Sequence, residues 1–237
     1  MPRDHDRDHD CDRGHDHGRA VGVRNGYART VCASIVSVAD LTVELGGNPV
    51  LRGMALTVSP GEVVAVVGPN GSGKSTLLRC LAGLQPVTSG VVRVFGEPPA
   101  DDSAFWRRVA LLNEEPAWYP GLTAREHLEL MGAVHAETRM TVEAALEVFA
   151  LVERADAAPL NLSTGQRQRL ALASTLLRPS TLLLLDEPER GLDTGFRGRL
   201  GDLLGDYASA GGTVVMATHD DRLAARARQI SPSGVAA

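Results

Sequence analysis

The only lysine of the chain lies in a glycine-rich segment whose residue types are suited to holding phosphate groups. The segment matches the pattern G-x-x-x-x-G-K-[ST]. Glycines let successive backbone N–H groups turn inward around phosphate oxygens, and the N-terminus of a following helix adds attraction for anions. We therefore predict a nucleotide-phosphate site formed by consecutive residues, namely Gly68, Pro69, Asn70, Gly71, Ser72, Gly73, Lys74, Ser75 and Thr76.

The last residues of this segment have different predicted roles. Lys74 is the single lysine among 24 lysines and arginines. An ammonium group on a slender stem fits between β- and γ-phosphates, where a planar guanidinium is too wide. We expect Ser75 to ligate Mg²⁺ and Thr76 to lie near the α-phosphate. A glycine turn with an incidental lysine is the alternative, and the predicted position between a buried strand and a helix argues against it.

Two adjacent carboxylates follow a run of four leucines at residues 182–185. Such an apolar run predicts a buried strand, and ligand sites of open α/β sheets lie at the carboxyl ends of strands. We expect Asp186 to hold Mg²⁺ through its water shell and Glu187 to accept a proton from the attacking water. Alone, the run is equally compatible with an ordinary strand end, but the phosphate segment favours the functional interpretation.

The pattern along the rest of the chain predicts the elements that would position these groups. Alternating apolar residues at 35–43 and 50–58, separated by turn residues, predict a hairpin. Strands and helices then alternate, which predicts an α/β fold of the P-loop NTPase type with a mostly parallel sheet covered on both faces. We expect an N-terminal antiparallel β subdomain and an inserted helical subdomain at about 115–160. The predicted strands are 63–67, 91–95, 109–112, 181–185 and 213–218; the predicted helices are about 74–82, several within 123–156, about 165–177, and one on each side of the last strand.

Composition limits the classes of protein to which the chain can belong. With 237 residues and 43% apolar content, it can bury one substantial core, which we assign to a domain at 34–237. A net charge of −5 gives no basic field, so we expect no nucleic-acid partner. Apolar runs are too short to span a membrane, no secretory signal is visible, and three cysteines without metal-ligand spacing predict no disulfide. We expect a cytoplasmic protein.

Residues 1–33 have a biased composition that predicts a disordered tail. Asp recurs at positions 4, 8, 12 and 16, and four of the seven histidines lie before residue 30. Too few apolar groups are present to form a core. Imidazole, carboxylate and the Cys11 thiol could collect divalent metal ions. A solvated tail or an over-extended start is the alternative, and the lack of rigid ligand spacing favours it.

A third motif lies between the first two in the chain. Leu-Ser-Thr-Gly-Gln at residues 162–166 precedes an apolar helix and would, by itself, indicate a helix N-cap. Gly-Leu-Asp at 191–193 and His219 follow the carboxylate pair. This series, over about residues 35–229, resembles the ABC (ATP-binding cassette) ATPase family. In that family two nucleotide domains form a head-to-tail dimer, with ATP between the phosphate loop of one and the signature helix of the other.

The resemblance implies roles for further residues. Ser163 and Gly165, with the adjacent Gln166, would bind the γ-phosphate of the ATP held by the opposite domain. His219 would contact the γ-phosphate and orient the attacking water together with Glu187. A lone histidine is usually structural, but its place after a predicted strand favours the catalytic interpretation.

The resemblance also implies partners and a cofactor. ATP is the expected substrate with Mg²⁺, and the expected partners are a second ABC ATPase domain and a separate transmembrane permease subunit, which places the chain on the inner face of the cell membrane. ATP would close the dimer, and hydrolysis would open it. A non-transport ABC ATPase and a catalytically weak partner in a heterodimer are the alternatives. The substrate is not encoded in such a subunit; the lack of a specificity domain after the last helix slightly favours efflux, by association only.

The sequence departs from the family at several positions. Thr164 replaces a glycine that is commoner in the signature, and residues 189–191 (Glu-Arg-Gly) replace small residues before Leu192 and Asp193. Asp193 would lie at the dimer seam. We expect these changes to affect the details of that seam. The presence of Lys74 and of the catalytic candidates favours an active site over a degenerate one.

Glu114 stands where the family usually has the glutamine of its Q-loop. Glutamine offers Mg²⁺ a neutral oxygen, whereas the Glu114 carboxylate would bind the metal more firmly and repel the γ-phosphate. We expect the coupling between nucleotide and transport to be altered. A Glu114→Gln variant should change turnover and its Mg²⁺ dependence; identical values for both proteins would contradict this prediction.

No aromatic residue is available to stack on the adenine. The family often has one in the stretch corresponding to residues 41–46, where Leu45 is the expected occupant. Base stacking on an aromatic ring contributes about 1 kcal/mol or more, so its loss should weaken recognition of the base. We predict poor discrimination of ATP from GTP. Equilibrium titration with both nucleotides checks this, and a strong preference for ATP would contradict it.

Overall fold

The computed structural model describes residues 34–114, 116–135 and 137–232, which belong to one compact unit, Cys32–Ala237. The predicted tail at residues 1–33 lies outside the described residues, together with Cys11 and Cys32. The strands are β1 (Val36–Leu45), β2 (Asn48–Val58), β3 (Val63–Val66), β4 (Ser89–Val94), β5 (Val109–Leu112), β6 (Leu182–Asp186), β7 (Thr213–Ala217) and β8 (Arg228–Ile230). The helices are α1 (Lys74–Leu81), α2 (Ser103–Arg108), α3 (Ala124–His135), α4 (Val142–Val148), α5 (Thr164–Leu177), α6 (Thr194–Ser209) and α7 (Asp221–Ala224).

The strands form two sheets of different kinds. β2, β1 and β4 pair antiparallel in that order, with β1 in the centre. β5, β6, β7, β3 and β8 form a parallel sheet in that order. All five residues of β6 and all five of β7 are buried, as expected for parallel strands covered on both faces. The predicted mixture of an antiparallel subdomain and a parallel sheet is confirmed.

Side chains of the parallel strands alternate between two cores. Leu183 and Leu185 of β6 pack with α3, α4, α5 and α6 in one core, whereas Leu182 and Leu184 pack with α1 and the antiparallel sheet in the other. The alternation follows from the two-residue period of a strand. α1 contacts β6 and β7 and also β2 and β4, so it joins the two sheets. Burial raises the pKa of the Cys80 thiol in α1 to about 11, as expected for an inert core cysteine.

Between β5 and β6 the chain is mainly helical. α3 packs on α4 and α5, and Phe149, just after α4, is fully buried in the same core. These helices occupy the predicted insertion; its limits as a separate subdomain stay a prediction. In the described ranges no helix is both long and apolar enough to span a membrane.

The observed elements differ from the predicted ones mainly at their ends. β2 begins at Asn48, which was predicted as a turn residue, because the turn is confined to Gly46 and Gly47 and both have positive φ. β8 was not predicted. Its three residues have no apolar alternation. They form a strand because their backbone pairs with the side of β3 that does not pair with β7.

Candidate nucleotide-binding site

The predicted functional groups lie at the carboxyl ends of four parallel strands. The phosphate segment follows β3, the carboxylate pair ends β6, His219 follows β7 and Glu114 follows β5. Register fixes their mutual positions, since Leu185 pairs with Met216 and Val66 pairs with Ala217. Groups separated by more than 100 residues in the sequence therefore meet at one edge of the sheet, where ligands bind in open α/β folds.

The phosphate segment turns tightly before α1. Gly73 caps α1 with φ +94°, and a Cβ there would lie 2.6 Å from Cδ2 of Leu51, so that only glycine fits. Lys74 is 6% exposed, and its Nζ donates to the carbonyl oxygens of Gly68 at 3.0 Å and Pro69 at 3.1 Å. In the described residues the buried Ser72 hydroxyl has no hydrogen-bond partner. An ammonium beside a helix N-terminus suits a bound phosphate, although Ser72 itself does not line the cavity described below.

Ser75 and Asp186 are in direct contact, as expected for a metal site. The Ser75 hydroxyl donates to Oδ1 of Asp186 at 3.0 Å. Among residues 34–114, 116–135 and 137–232 no group of three His, Cys, Asp or Glu side chains could hold a metal alone. Mg²⁺ uses one or two protein oxygens and completes its shell with substrate phosphates and water. The hydroxyl and carboxylate oxygens fit this ion, which would neutralise phosphate charge when bound.

Asp186 is buried in an electrostatically unfavourable position. Burial raises the pKa of its carboxyl, and the charges of Glu187 and Glu114 raise it further, while the hydrogen bond from Ser75 acts in the opposite direction. A carboxylate kept near two others is stabilised by a cation. A cation bound beside Asp186 would therefore be stabilised by these charges.

Glu187 occupies a strained turn beside His219. Its φ is +47°, which is uncommon for a residue with a side chain. Its backbone N–H donates to the Ala217 carbonyl at 2.9 Å, and the buried Gln168 amide donates to its carbonyl at 3.2 Å. The carboxylate Oε1 lies 3.4 Å from Nε2 of His219. The structure thus brings together the proposed base and the proposed orienting imidazole.

Glu189 is a site residue whose role the sequence analysis missed. It is 6% exposed, and its Oε1 accepts the backbone N–H of His219 at 2.7 Å. Its other carboxylate oxygen is buried without a hydrogen-bond partner in the described part of the chain. The buried carboxylate thus fixes the start of the segment that carries His219. The only sequence signal was that Glu189 departs from the small residues usual in the resembling family.

A cavity of about 570 Å³ lies beside the phosphate segment and reaches Glu187, whereas Asp186 and His219 do not line it. It is lined by Val50, Asn70, Gly71, Gly73, Lys74, Ser75, Thr76, Glu114, Glu187 and Arg190. Val50 and Arg190 were not predicted to be site residues. Leu45, the expected neighbour of adenine, is 41% exposed and does not line this cavity, whereas Val50 does.

The predicted signature residues lie elsewhere. Ser163 caps α5 by accepting the Gln166 N–H at 3.2 Å, and the Gln166 side chain accepts the Ser163 N–H at 2.9 Å. None of the signature residues lines the cavity. A Cβ at Gly165 would lie 2.6 Å from the carbonyl oxygen of Gly191, so the helix start and the segment before Asp193 touch through their backbones.

Asp193 is fixed at the start of α6. Its Oδ1 accepts the Phe196 N–H at 2.9 Å, and its Oδ2 lies 2.5 Å from Nη2 of Arg169 in α5. The hydrogen bond from the Phe196 backbone and the charge of Arg169 lower the pKa of Asp193. The residue is therefore a helix cap and also an ion-pair partner of the signature helix.

Sheet order, phosphate segment and adjacent carboxylates together define an ATP-hydrolysing P-loop protein. The ABC transporter family model matches residues 51–190, which is more than half of the chain, and the chain belongs to that family. It is therefore an ATP-binding cassette and an ATPase. The recognition made from the motifs is confirmed.

Similar proteins have several transport roles. A cytochrome c biogenesis ATP-binding export protein, CcmA, of Ruegeria pomeroyi is 39% identical over 186 residues, covering 78% of this chain and 85% of that protein. The glutamine transport ATP-binding protein GlnQ of Escherichia coli is 34% identical, covering 78% and 81%. This chain spans only 35% of a 43% identical putative ABC transporter ATP-binding protein of Streptomyces avermitilis.

Solved structures agree with this assignment. The cassette MJ0796, in a dimeric post-hydrolysis state bound to ADP and Pi, has a TM-score of 0.73 and 28% identity, covering 83% of this chain and 93% of that chain. An ATP-binding subunit of an ABC transporter has the same TM-score at 26% identity, covering 84% of this chain and 85% of its own.

Asp186 should reduce the stability of the nucleotide-free protein at neutral pH. Because its folded-state pKa is raised, ionising it costs folding free energy above the ordinary Asp value of 3.8, and the cost disappears as pH falls below that value. Asp186→Asn keeps an oxygen acceptor for Ser75 and should raise the melting temperature at pH 7 but not at the acid end of the range. Thermal unfolding across pH measures this, with the exposed Asp206→Asn as control; equal gains at all pH values would contradict it.

Proposed function

We propose that this chain is the ATP-driven motor subunit of an ABC transporter and works on the inner face of the cell membrane with a separate membrane-spanning subunit. ATP binds at residues 68–76, with Mg²⁺ on Ser75 and Asp186. Glu187 accepts the proton of the attacking water, and His219 orients that water beside the γ-phosphate. The contact of His219 with Glu187, which lines the phosphate cavity, carries the proposal.

Separation of the signature from the cavity supports a shared site. Ser163 and Gly165 start α5 but do not line the cavity of their own chain. A second domain placed head-to-tail would bring its signature to this cavity, with backbone donors at a helix N-terminus facing the γ-phosphate. Gln166 contributes by holding that helix start in its capping box. The dimeric state of MJ0796 is consistent with this arrangement.

The segment after Glu114 offers a surface for the membrane subunit. Tyr119 is 57% exposed and borders, with Trp118, a cavity of about 190 Å³ between this segment, α3 and α5. The buried His127 ring fixes the segment, because Nδ1 donates to the Thr123 carbonyl at 2.8 Å and Nε2 accepts the Tyr119 N–H at 3.0 Å. A rigid, partly apolar groove suits a short helix of a partner.

The relatives include proteins named for import and for export, so the proposal concerns the ATP-driven step that both directions require. A role outside transport is the second class of function. A gene for a polytopic membrane protein beside the gene of this chain would support transport.

The proposed docking segment can be tested with Tyr119→Ser. This variant should be released from membranes of its host while its ATP hydrolysis stays intact. Retention of the variant on membranes would contradict the proposed docking segment.

Two variants separate binding from hydrolysis. Lys74→Ala should abolish ATP binding, because no other side-chain ammonium is available in the sequence. Glu187→Gln should keep ATP binding but lower turnover by about 10²- to 10⁴-fold, the usual effect of losing a general base. Since hydrolysis no longer opens the ATP-bound dimer, Glu187→Gln should accumulate as a dimer when ATP is present. Light scattering measures this.

Matched controls use exposed groups that do not line the cavity. Arg199→Ala removes an exposed cation of α6, and Glu147→Gln removes an exposed carboxylate of α4. Both should hydrolyse ATP at the wild-type rate. Wild-type hydrolysis by Lys74→Ala would refute the assigned site, and a monomeric Glu187→Gln protein at saturating ATP would refute the shared one. A wild-type protein that binds ATP without hydrolysing it would instead be a regulatory partner.

A further inference from the structure

Two oppositely charged side chains meet in the lining of the phosphate cavity. Nη1 of Arg190 donates to Oε1 of Glu114 at 2.6 Å. Glu114 follows β5 and Arg190 follows β6, so this contact joins two neighbouring strand ends that are 76 residues apart in the sequence. Both are departures from the family pattern at positions where it usually has uncharged residues.

The pair lies between two cavities. Glu114 and Arg190 both line the cavity of about 570 Å³ that contains Lys74, and both also line one of about 260 Å³ that reaches Trp118 and Thr164. The Arg190–Glu114 pair therefore lies between the phosphate site and two other parts of the chain. These are the segment after Glu114, which contains Trp118, and the start of α5 at Thr164. No other charged side chain lines both cavities in the described residues, so the pair sets the charge at this junction.

Without Arg190 the Glu114 carboxylate would lose its ion-pair partner, in a cluster of carboxylates that Arg79 offsets only in part. Glu114 is near enough to raise the pKa of Asp186, and Glu187 acts in the same direction. A triphosphate adds more negative charge to the same space. The cation at position 190 is the group that cancels the charge of Glu114 on the side of the cavity.

We propose that Arg190 and Glu114 act as one neutral unit, in which Arg190 is a positioning residue that allows a carboxylate at position 114 without loss of nucleotide affinity. The unit also ties the segment after β5 to the segment after β6. Arg190 acts through Glu114 and not by binding phosphate itself. This inference rests on the proposed nucleotide site and concerns how the chain tolerates a charge in it.

The expected loss of nucleotide affinity follows from the solvent exposure of the Arg190–Glu114 pair. The side chains of Arg190 and Glu114 are 46% and 49% exposed, so solvent screens the pair. Exposed ion pairs contribute at most about 1 kcal/mol, which corresponds to about fivefold in a dissociation constant. Metal-free ATP has a larger negative charge than MgATP, so an uncompensated Glu114 should repel it more strongly.

The test is a double-mutant cycle on the full chain, read as equilibrium binding of ATP with and without Mg²⁺. Arg190→Ala should weaken binding by up to about fivefold without Mg²⁺ and by less with Mg²⁺. In the absence of Mg²⁺, Glu114→Gln alone should bind ATP as well as wild type or better. The double variant Glu114→Gln with Arg190→Ala should return to within about twofold of wild type. Arg190→Lys, which keeps the charge, should rescue most of the loss.

Each outcome decides between alternatives. Equal losses from Arg190→Ala in the wild-type and Glu114→Gln backgrounds would overturn the proposal, because Arg190 would then contact phosphate directly; no loss in either background would overturn it as well. Arg199→Ala serves as the matched arginine control and should bind normally. Failure of Lys74→Ala to abolish binding would refute the nucleotide site itself, whereas abolished binding with an additive cycle would refute only the paired role of Arg190.

Discussion

The parallel ladder of β5, β6, β7 and β3 is the constraint on which the site depends. Each strand is short, almost wholly buried and hydrogen-bonded on both sides except at the β5 edge, so the strands cannot shift without breaking backbone pairs in a dry core. Because the carboxyl ends of all four strands lie at the same end of the sheet, the residues that follow the strands enter the same space. The chemistry is concentrated there because the ladder forces the loops together.

Local patterns predicted the parts of the site that one segment can supply. The phosphate segment and the Asp186-Glu187 pair were recognisable because their residue types and the adjacent apolar strand are read from consecutive residues. The main elements were predicted for the same reason. β8 was not predicted because it is a strand through its pairing with β3 and not through its composition. The separate status of the helical insertion and the roles of the individual site residues stay predictions.

Contacts between distant segments were beyond the reach of the sequence. Arg190 was noticed only as a departure from a family pattern and Glu114 also as a candidate metal ligand, and nothing in the sequence indicated that they would meet. Glu189 was noticed in the same way, although its carboxylate accepts the His219 backbone N–H. Val50 lines the cavity because β2 runs beside the phosphate segment, which the hairpin prediction did not place. Such neighbours depend on the packing of two sheets through α1, a property of the whole domain.

The contact between Gly165 and Gly191 has a mechanical consequence. Since no side chain separates the start of α5 from the segment that continues from Glu187, a displacement of one backbone is transmitted to the other without a compressible layer between them. A displacement of Gly165 would thus reach the segment after Glu187 as a rigid movement. The size of the transmitted movement is set by the contact between the two backbones, so exchanging one side chain for another would not reduce it.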